Sequence, residues 1–176
     1  MNSFSTSLIL IGMPGSGKST LGILLAKMLA KDFVDTDLLI QLQHSKTLQE
    51  IVDHQGYLAL RDIEEQVLLN THYPNHIVAT GGSAVYSEKA MEHLRHFGQL
   101  VFLDVSLEEL RARVKNFDTR GLARKPNQSL VELYNERRTL YQQYANITID
   151  CSGKSQEEIL ELIIYEDTEV YTDKDA

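Results

Sequence analysis

Residues Ser7 to Thr20 read SLILIGMPGSGKST, an uninterrupted apolar run followed by Gly12-Met-Pro-Gly-Ser-Gly-Lys-Ser19, which satisfies the pattern G-x-x-x-x-G-K-[ST]. The run Ser7–Ile11 suits a buried strand, and Lys18 to Ala30 carries Leu21, Leu24, Leu25, Met28 and Leu29 on one helical face. Strand, glycine-rich loop and helix in this order form a phosphate cradle. The glycines let successive backbone N–H groups turn toward phosphate oxygens, and the helix aims its positive end at the same place. Lys18 can reach the terminal phosphates of a nucleoside triphosphate, and the Ser19 hydroxyl can sit on Mg2+. The expected ATP-binding set is Gly12, Pro14, Gly15, Ser16, Gly17, Lys18, Ser19 and Thr20.

Outward from this motif, short β-rich runs alternate with longer segments of helical period. The strand candidates are Ser7 to Ile11, Asp32 to Asp35, His76 to Thr80, Leu100 to Val105 and Ile147 to Ile149. Leu60 to Asn70 is amphipathic, with Leu60, Ile63, Val67 and Leu68 inside and Glu64 and Glu65 outside. Ser106-x-x-Glu109, Ser129-x-x-Glu132 and Ser155-x-x-Glu158 are capping boxes that mark helix starts. Strands separated by helices require crossover connections, so the fold class is α/β, with a mostly parallel sheet and helices on both faces. Ligands of such sheets sit at the carboxyl ends of the strands.

The 176 residues, 43% of them hydrophobic, are enough for one domain with a sizeable core. A net charge of −8 argues against nucleic acid as a partner. The single cysteine, Cys151, rules out an internal disulfide, and the N-terminal stretch is too short in apolar residues for a signal peptide or a membrane span. The expectation is a soluble, cytoplasmic protein with a small-molecule substrate. Residues 1–165 form the domain, and the acidic tail 166–176, without helical or strand period, is expected to fray.

Two carboxylates, Asp35 and Asp37, fall at the end of the second strand candidate, and residues i and i+2 of an extended chain point the same way. One can hold Mg2+ through water while the other binds or activates a substrate hydroxyl; capping of the following helix by Asp37 is the alternative. Asn116 to Gln128 lacks helical period, contains Gly121 and Pro126, and concentrates Arg120, Arg124 and Lys125, as a lid closing over triphosphate would.

GMPGSGKST, FVDTD, Arg61-Asp-Ile-Glu64, ATGG, VFLDVSLEELRARV, DTRGL and ERRTLY-x-x-YA, taken in order from Leu8 to about Asp150, resemble the shikimate kinase family. The resemblance implies transfer of the ATP γ-phosphoryl group to the 3-hydroxyl of shikimate. It also implies a nucleoside-monophosphate-kinase-like P-loop domain with five parallel strands ordered 2-3-1-4-5, a substrate-binding helical segment at about 37–65, a mobile lid at 116–128, and a monomer. On this resemblance Asp37 binds the substrate hydroxyls, Asp35 lies near Mg2+, and Arg61 and Arg137 clamp the carboxylate. Arg120 meets the phosphates from the lid, Arg113 packs on the adenine ring, and Gly81 and Gly82 floor the substrate pocket. Lys18, Asp37 and Arg120 are the expected catalytic set. Two guanidinium groups from distant helices would select an anionic substrate over a neutral sugar.

Several positions depart from the family pattern. Its third glycine after the Gly pair is Ser83, its Arg-Pro in the lid is Arg120-Gly121, and its Gly-Glu before the substrate arginine is Gly56-Tyr57. Leu60 and Val52 replace pocket aromatics. These changes touch the pocket wall and leave the phosphate-handling residues intact, so a kinase of another small hydroxylated carboxylic acid remains the alternative. A non-catalytic nucleotide-binding module would not need Asp37, Arg120 and a second, carboxylate-directed set.

Overall fold

The computed structural model describes residues 6–115 and 121–172. Five strands, β1 (Ser7–Ile11), β2 (Asp32–Asp35), β3 (His76–Ala79), β4 (Gly98–Asp104) and β5 (Ile147–Asp150), form one sheet in the order β2-β3-β1-β4-β5. Every adjacent pair is parallel, with Ile9 level with Val78 on one side and Leu100 on the other. All five residues of β1 are buried, so both faces of the sheet are covered; that is why the strand is a continuous apolar run instead of an alternating one.

Helix α1 (Lys18–Leu29) packs on β1, β2 and β3 and meets α8 (Gln156–Thr172), while α5 (Glu88–Arg95) and α7 (Leu130–Tyr144) pack on β4. The Ser129–Glu132 capping box starts α7, and Ser106 caps α6 (Leu107–Arg113) through the Glu109 amide. Phe102 and Tyr141 stack in the main core at 5.1 Å.

The helical segment after β2 divides into α2 (Thr36–His44), α3 (Leu48–Gln55) and α4 (Tyr57–Leu69). Ser45 ends α2 in a left-handed conformation, and a Thr47–Glu50 capping box starts α3. These helices have a core of their own, Ile40, Ile51, Leu60 and Val67, and Ala123 joins it. The segment after residue 120 is thereby anchored on the substrate-side helices.

Two expectations need correction. Glu64 is not outside: it is buried on α4 with Leu60, Val67 and Leu68. Positions 60, 64, 67 and 68 form one helical stripe, and Glu64 occupies its middle. The tail expected to be irregular from about Glu166 is helical to Thr172, and burial raises the Asp167 carboxyl above its ordinary value against the opposing charge of Lys31. Ile159, Leu160 and Ile163 carry the buried stripe of α8, which seats the polar turns after it. Residues 173–176, and 116–120 of the expected lid, lie outside the described residues.

Candidate active site

The phosphate loop runs from the end of β1 to α1, and its shape demands glycine at Gly17, which caps α1 with φ 95°. The buried Lys18 turns back over the loop, its Nζ donating to the carbonyls of Gly12 (2.8 Å) and Met13 (2.9 Å) and to Ser16 Oγ (3.5 Å). Ser19 Oγ donates to Asp35 Oδ2 at 2.6 Å, so the hydroxyl and carboxylate expected at Mg2+ are brought together.

Asp35, not Asp37, caps the next helix. Its Oδ1 accepts from the amides of Asp37 (3.0 Å) and Leu38 (3.3 Å), and Asp37 lies in the first turn of α2. The two carboxylates therefore meet the site through a strand-to-helix turn and not through strand alternation. Asp37 lines a cleft of about 340 Å3 together with Lys18, Glu64, Ser83, Arg137 and the segment Gly121–Ala123.

The floor of this cleft follows β3. The Gly81 amide donates to Thr36 Oγ1 at 3.2 Å, and Tyr141 donates to the Gly82 carbonyl at 2.6 Å. What requires glycine here is close approach: a Cβ on Gly81 would overlap Glu64 Oε1 and stand 2.6 Å from Asp37 Oδ1. One on Gly82 would stand 2.8 Å from Arg137 Nη1.

Glu64 was missed as a site residue. Ser83 donates its hydroxyl to Glu64 Oε2, and Oε1 has no hydrogen-bond partner. Burial and then the nearby Asp37 push the carboxyl up to about 7, against Ser83, Arg137 and Lys18, which favour its charged form. A lone carboxylate in the middle of an apolar helical stripe was the available signal.

Arg61 and Arg137 converge on one oxygen. The Ala123 carbonyl accepts from Arg61 Nη2 at 3.1 Å, Arg61 Nε at 3.3 Å and Arg137 Nη2 at 2.9 Å. Arg137 is 1% exposed, and although burial works against its charge, Tyr141, Tyr86 and Glu64 hold its ionisation above the ordinary value. Arg61 shifts the other way through burial, with Arg137 adding repulsion.

Arg113 ends α6 and pairs with Glu109 at 2.7 Å, whose other oxygen accepts from the Gly153 amide at 2.7 Å. Arg138, next to Arg137 in the sequence, turns away from it and forms a two-pronged bond with Asp104 at 2.9 and 2.6 Å. Arg120 lies outside the described residues. Among the described residues no group of three or more His, Cys, Asp and Glu is arranged to hold a metal, so a Mg2+ here would depend on donors such as Ser19, phosphate and water.

A parallel sheet with a glycine-rich loop at the carboxyl end of β1, a lysine over that loop and an acid–arginine cleft beside it define a P-loop small-molecule kinase. The sequence profile described as Shikimate kinase (SKI) matches residues 14–167. The chain is 41% identical over 151 residues to a shikimate kinase of Gloeobacter violaceus, covering 84% of each chain. It is 37% identical over 148 residues to that of Paracidovorax citrulli, covering 81% of each. The solved shikimate kinase of Acinetobacter baumannii in complex with shikimate superposes with a TM-score of 0.82 at 28% identity, over 92% of both chains. The protein belongs to the shikimate kinase family.

Proposed function

We propose that this kinase moves the γ-phosphoryl group of ATP to the 3-hydroxyl of shikimate, giving shikimate 3-phosphate and ADP. The observation that carries the residue assignment is the convergence of Arg61 and Arg137 on the Ala123 carbonyl: Ala123 and Arg137 line the cleft with Lys18 and Asp37, while Arg61 reaches that oxygen from an adjoining pocket that shares Glu64 and Ser83 with the cleft. A substrate carboxylate at that point would receive a charge-assisted fork from two helices. Its ring would extend toward Asp37, which accepts a hydrogen bond from the hydroxyl to be phosphorylated.

Phosphoryl transfer asks mainly for positioning and charge neutralisation. The loop amides from Gly12 to Thr20 would hold the phosphates, with Lys18 trading its loop carbonyls for phosphate oxygens. Ser19 Oγ and Asp35 Oδ2 offer hard oxygen donors that fit Mg2+, directly or through water. When bound, that ion supplies charge neutralisation on the triphosphate. Arg113, held by Glu109, is assigned to the adenine ring, and Arg120 with the segment to Gln128 to the lid over the phosphates. No helix among the described residues is long and apolar enough to cross a membrane. The one cysteine is free and buried, which suits a reducing, cytoplasmic setting.

Coupled ADP-release assays with shikimate, quinate and gluconate at saturating Mg-ATP test the reading. Turnover with shikimate well above the others is expected, and its absence would overturn the assignment.

A further inference from the structure

The structure leaves a question about the arginine pair: two like charges are held side by side, yet neither guanidinium forms an ion pair among the described residues. Both approach Tyr86, the last residue of a short 3-10 helix (Ala84–Tyr86) that follows the Gly pair. Arg61 Cζ stands 3.5 Å from the centre of the Tyr86 ring, and Arg137 Cζ stands 5.3 Å from it. Arg137 Nε also donates to Tyr86 Oη at 3.4 Å.

We propose that Tyr86 is the positioning residue of the carboxylate clamp, an aromatic platform that holds Arg61 and Arg137 with their N–H edges turned toward the substrate. This rests on the assignment of the two arginines to the substrate carboxylate. An aromatic face attracts a cation without occupying its in-plane donors. A carboxylate in the same place would orient the guanidiniums as well, but would consume their N–H groups and neutralise the charge the substrate needs. The ring thus offsets the repulsion between the arginines; it takes up Arg137 Nε through its hydroxyl but leaves Arg61 Nε and Nη2 and Arg137 Nη2 for a ligand oxygen, where the Ala123 carbonyl sits.

The platform is itself fixed from α7. Tyr86 Oη donates to Glu136 Oε1 at 2.5 Å, and Glu136 Oε2 accepts from Gln128 Nε2 at 2.9 Å and lies 3.6 Å from Lys125 Nζ. Glu136 therefore ties the platform to the segment that carries Ala123. The hydroxyl sets the angle of the ring, and the ring face holds the cations.

Steady-state kinetics of Tyr86→Leu, Tyr86→Phe and Arg61→Ala separate the possibilities. Tyr86→Leu should raise KM for shikimate about tenfold, the loss of roughly one desolvated cation–π contact, with a smaller change in kcat and none in KM for ATP. Tyr86→Phe keeps the face and should recover most of that loss. Arg61→Ala should raise KM for shikimate further. A Tyr86→Leu enzyme with the parent KM for shikimate, while Arg61→Ala remains impaired, overturns the platform alone. An unimpaired Arg61→Ala overturns the clamp beneath it. A Tyr86→Phe enzyme as impaired as Tyr86→Leu, or equal increases in KM for both substrates, would make Tyr86 a structural residue and sink the proposal.

Discussion

Ser83, the residue directly after the glycines that floor the cleft, donates its hydroxyl to the buried Glu64. Its side chain supplies a donor to a carboxylate whose other oxygen is unsatisfied. Ser83→Gly should therefore destabilise the protein by about 1–3 kcal/mol, because a buried acceptor is left without its partner. It should also move the Glu64 titration above 7, since the hydroxyl favours the ionised form. Urea unfolding and an NMR titration of the glutamate side chains read the two effects separately. Unchanged stability and titration would make Ser83 a bystander.

Glu64 itself should make stability fall as pH rises. Its folded value of about 7 lies above the ordinary 4.5, so the fold prefers the protonated acid. That contribution is fully present below about 4.5 and is lost as pH climbs through 7. Glu64→Gln keeps the shape and cannot ionise. It should be more stable than the parent at pH 8, by up to roughly 3 kcal/mol, with the gap closing toward pH 4.5. Melting temperatures at the two pH values check this; a gap independent of pH would exclude ionisation of Glu64 as its cause.

The Arg138–Asp104 pair holds α7 to the end of β4, away from the cleft. Arg138→Ala should cost about 1 kcal/mol, the upper range for a partly exposed pair with forked geometry. Neither KM should change. A rise in KM for shikimate would instead place Arg138 with its neighbour Arg137 in the clamp.

The architecture was legible where backbone chemistry is local. The glycine-rich loop lay between an apolar strand and an amphipathic helix, and the β4 start at Gly98 differs from the apolar run at Leu100 by two residues. The strand order came from the resemblance, since no local pattern carries it. Burial of Glu64 was not legible, because hydropathy puts a carboxylate outside and only the tertiary neighbours Ser83, Asp37 and Arg137 make an inward one tolerable. The same holds for Arg138, whose partner Asp104 is 34 residues away. The capping role of Asp35 depended on where β2 stops, the kind of boundary that patterns place least well. Tyr86 had no signal of its own: its function emerges only when α4, α7 and the short helix after β3 meet around its ring.

Asp37 joins the two halves of the site, lining the cleft beside Lys18 and raising the carboxyl of Glu64. Asp37→Asn keeps the size of the side chain and removes the charge. If Asp37 receives or orients the acceptor hydroxyl, kcat should fall by about 100-fold or more, the usual scale for a lost acid–base or orienting group. ATP affinity should stay close to that of the parent, since the phosphate loop is untouched. The neighbouring carboxyl gives a second readout: without the Asp37 charge, Glu64 should titrate below 7, and the pH dependence of stability should shift down with it. Nucleotide binding by calorimetry, turnover by coupled assay and the Glu64 titration together identify the cause of any loss. A slow Asp37→Asn enzyme with weakened ATP binding would point to a collapsed loop, and one with parental kcat would remove Asp37 from the reaction.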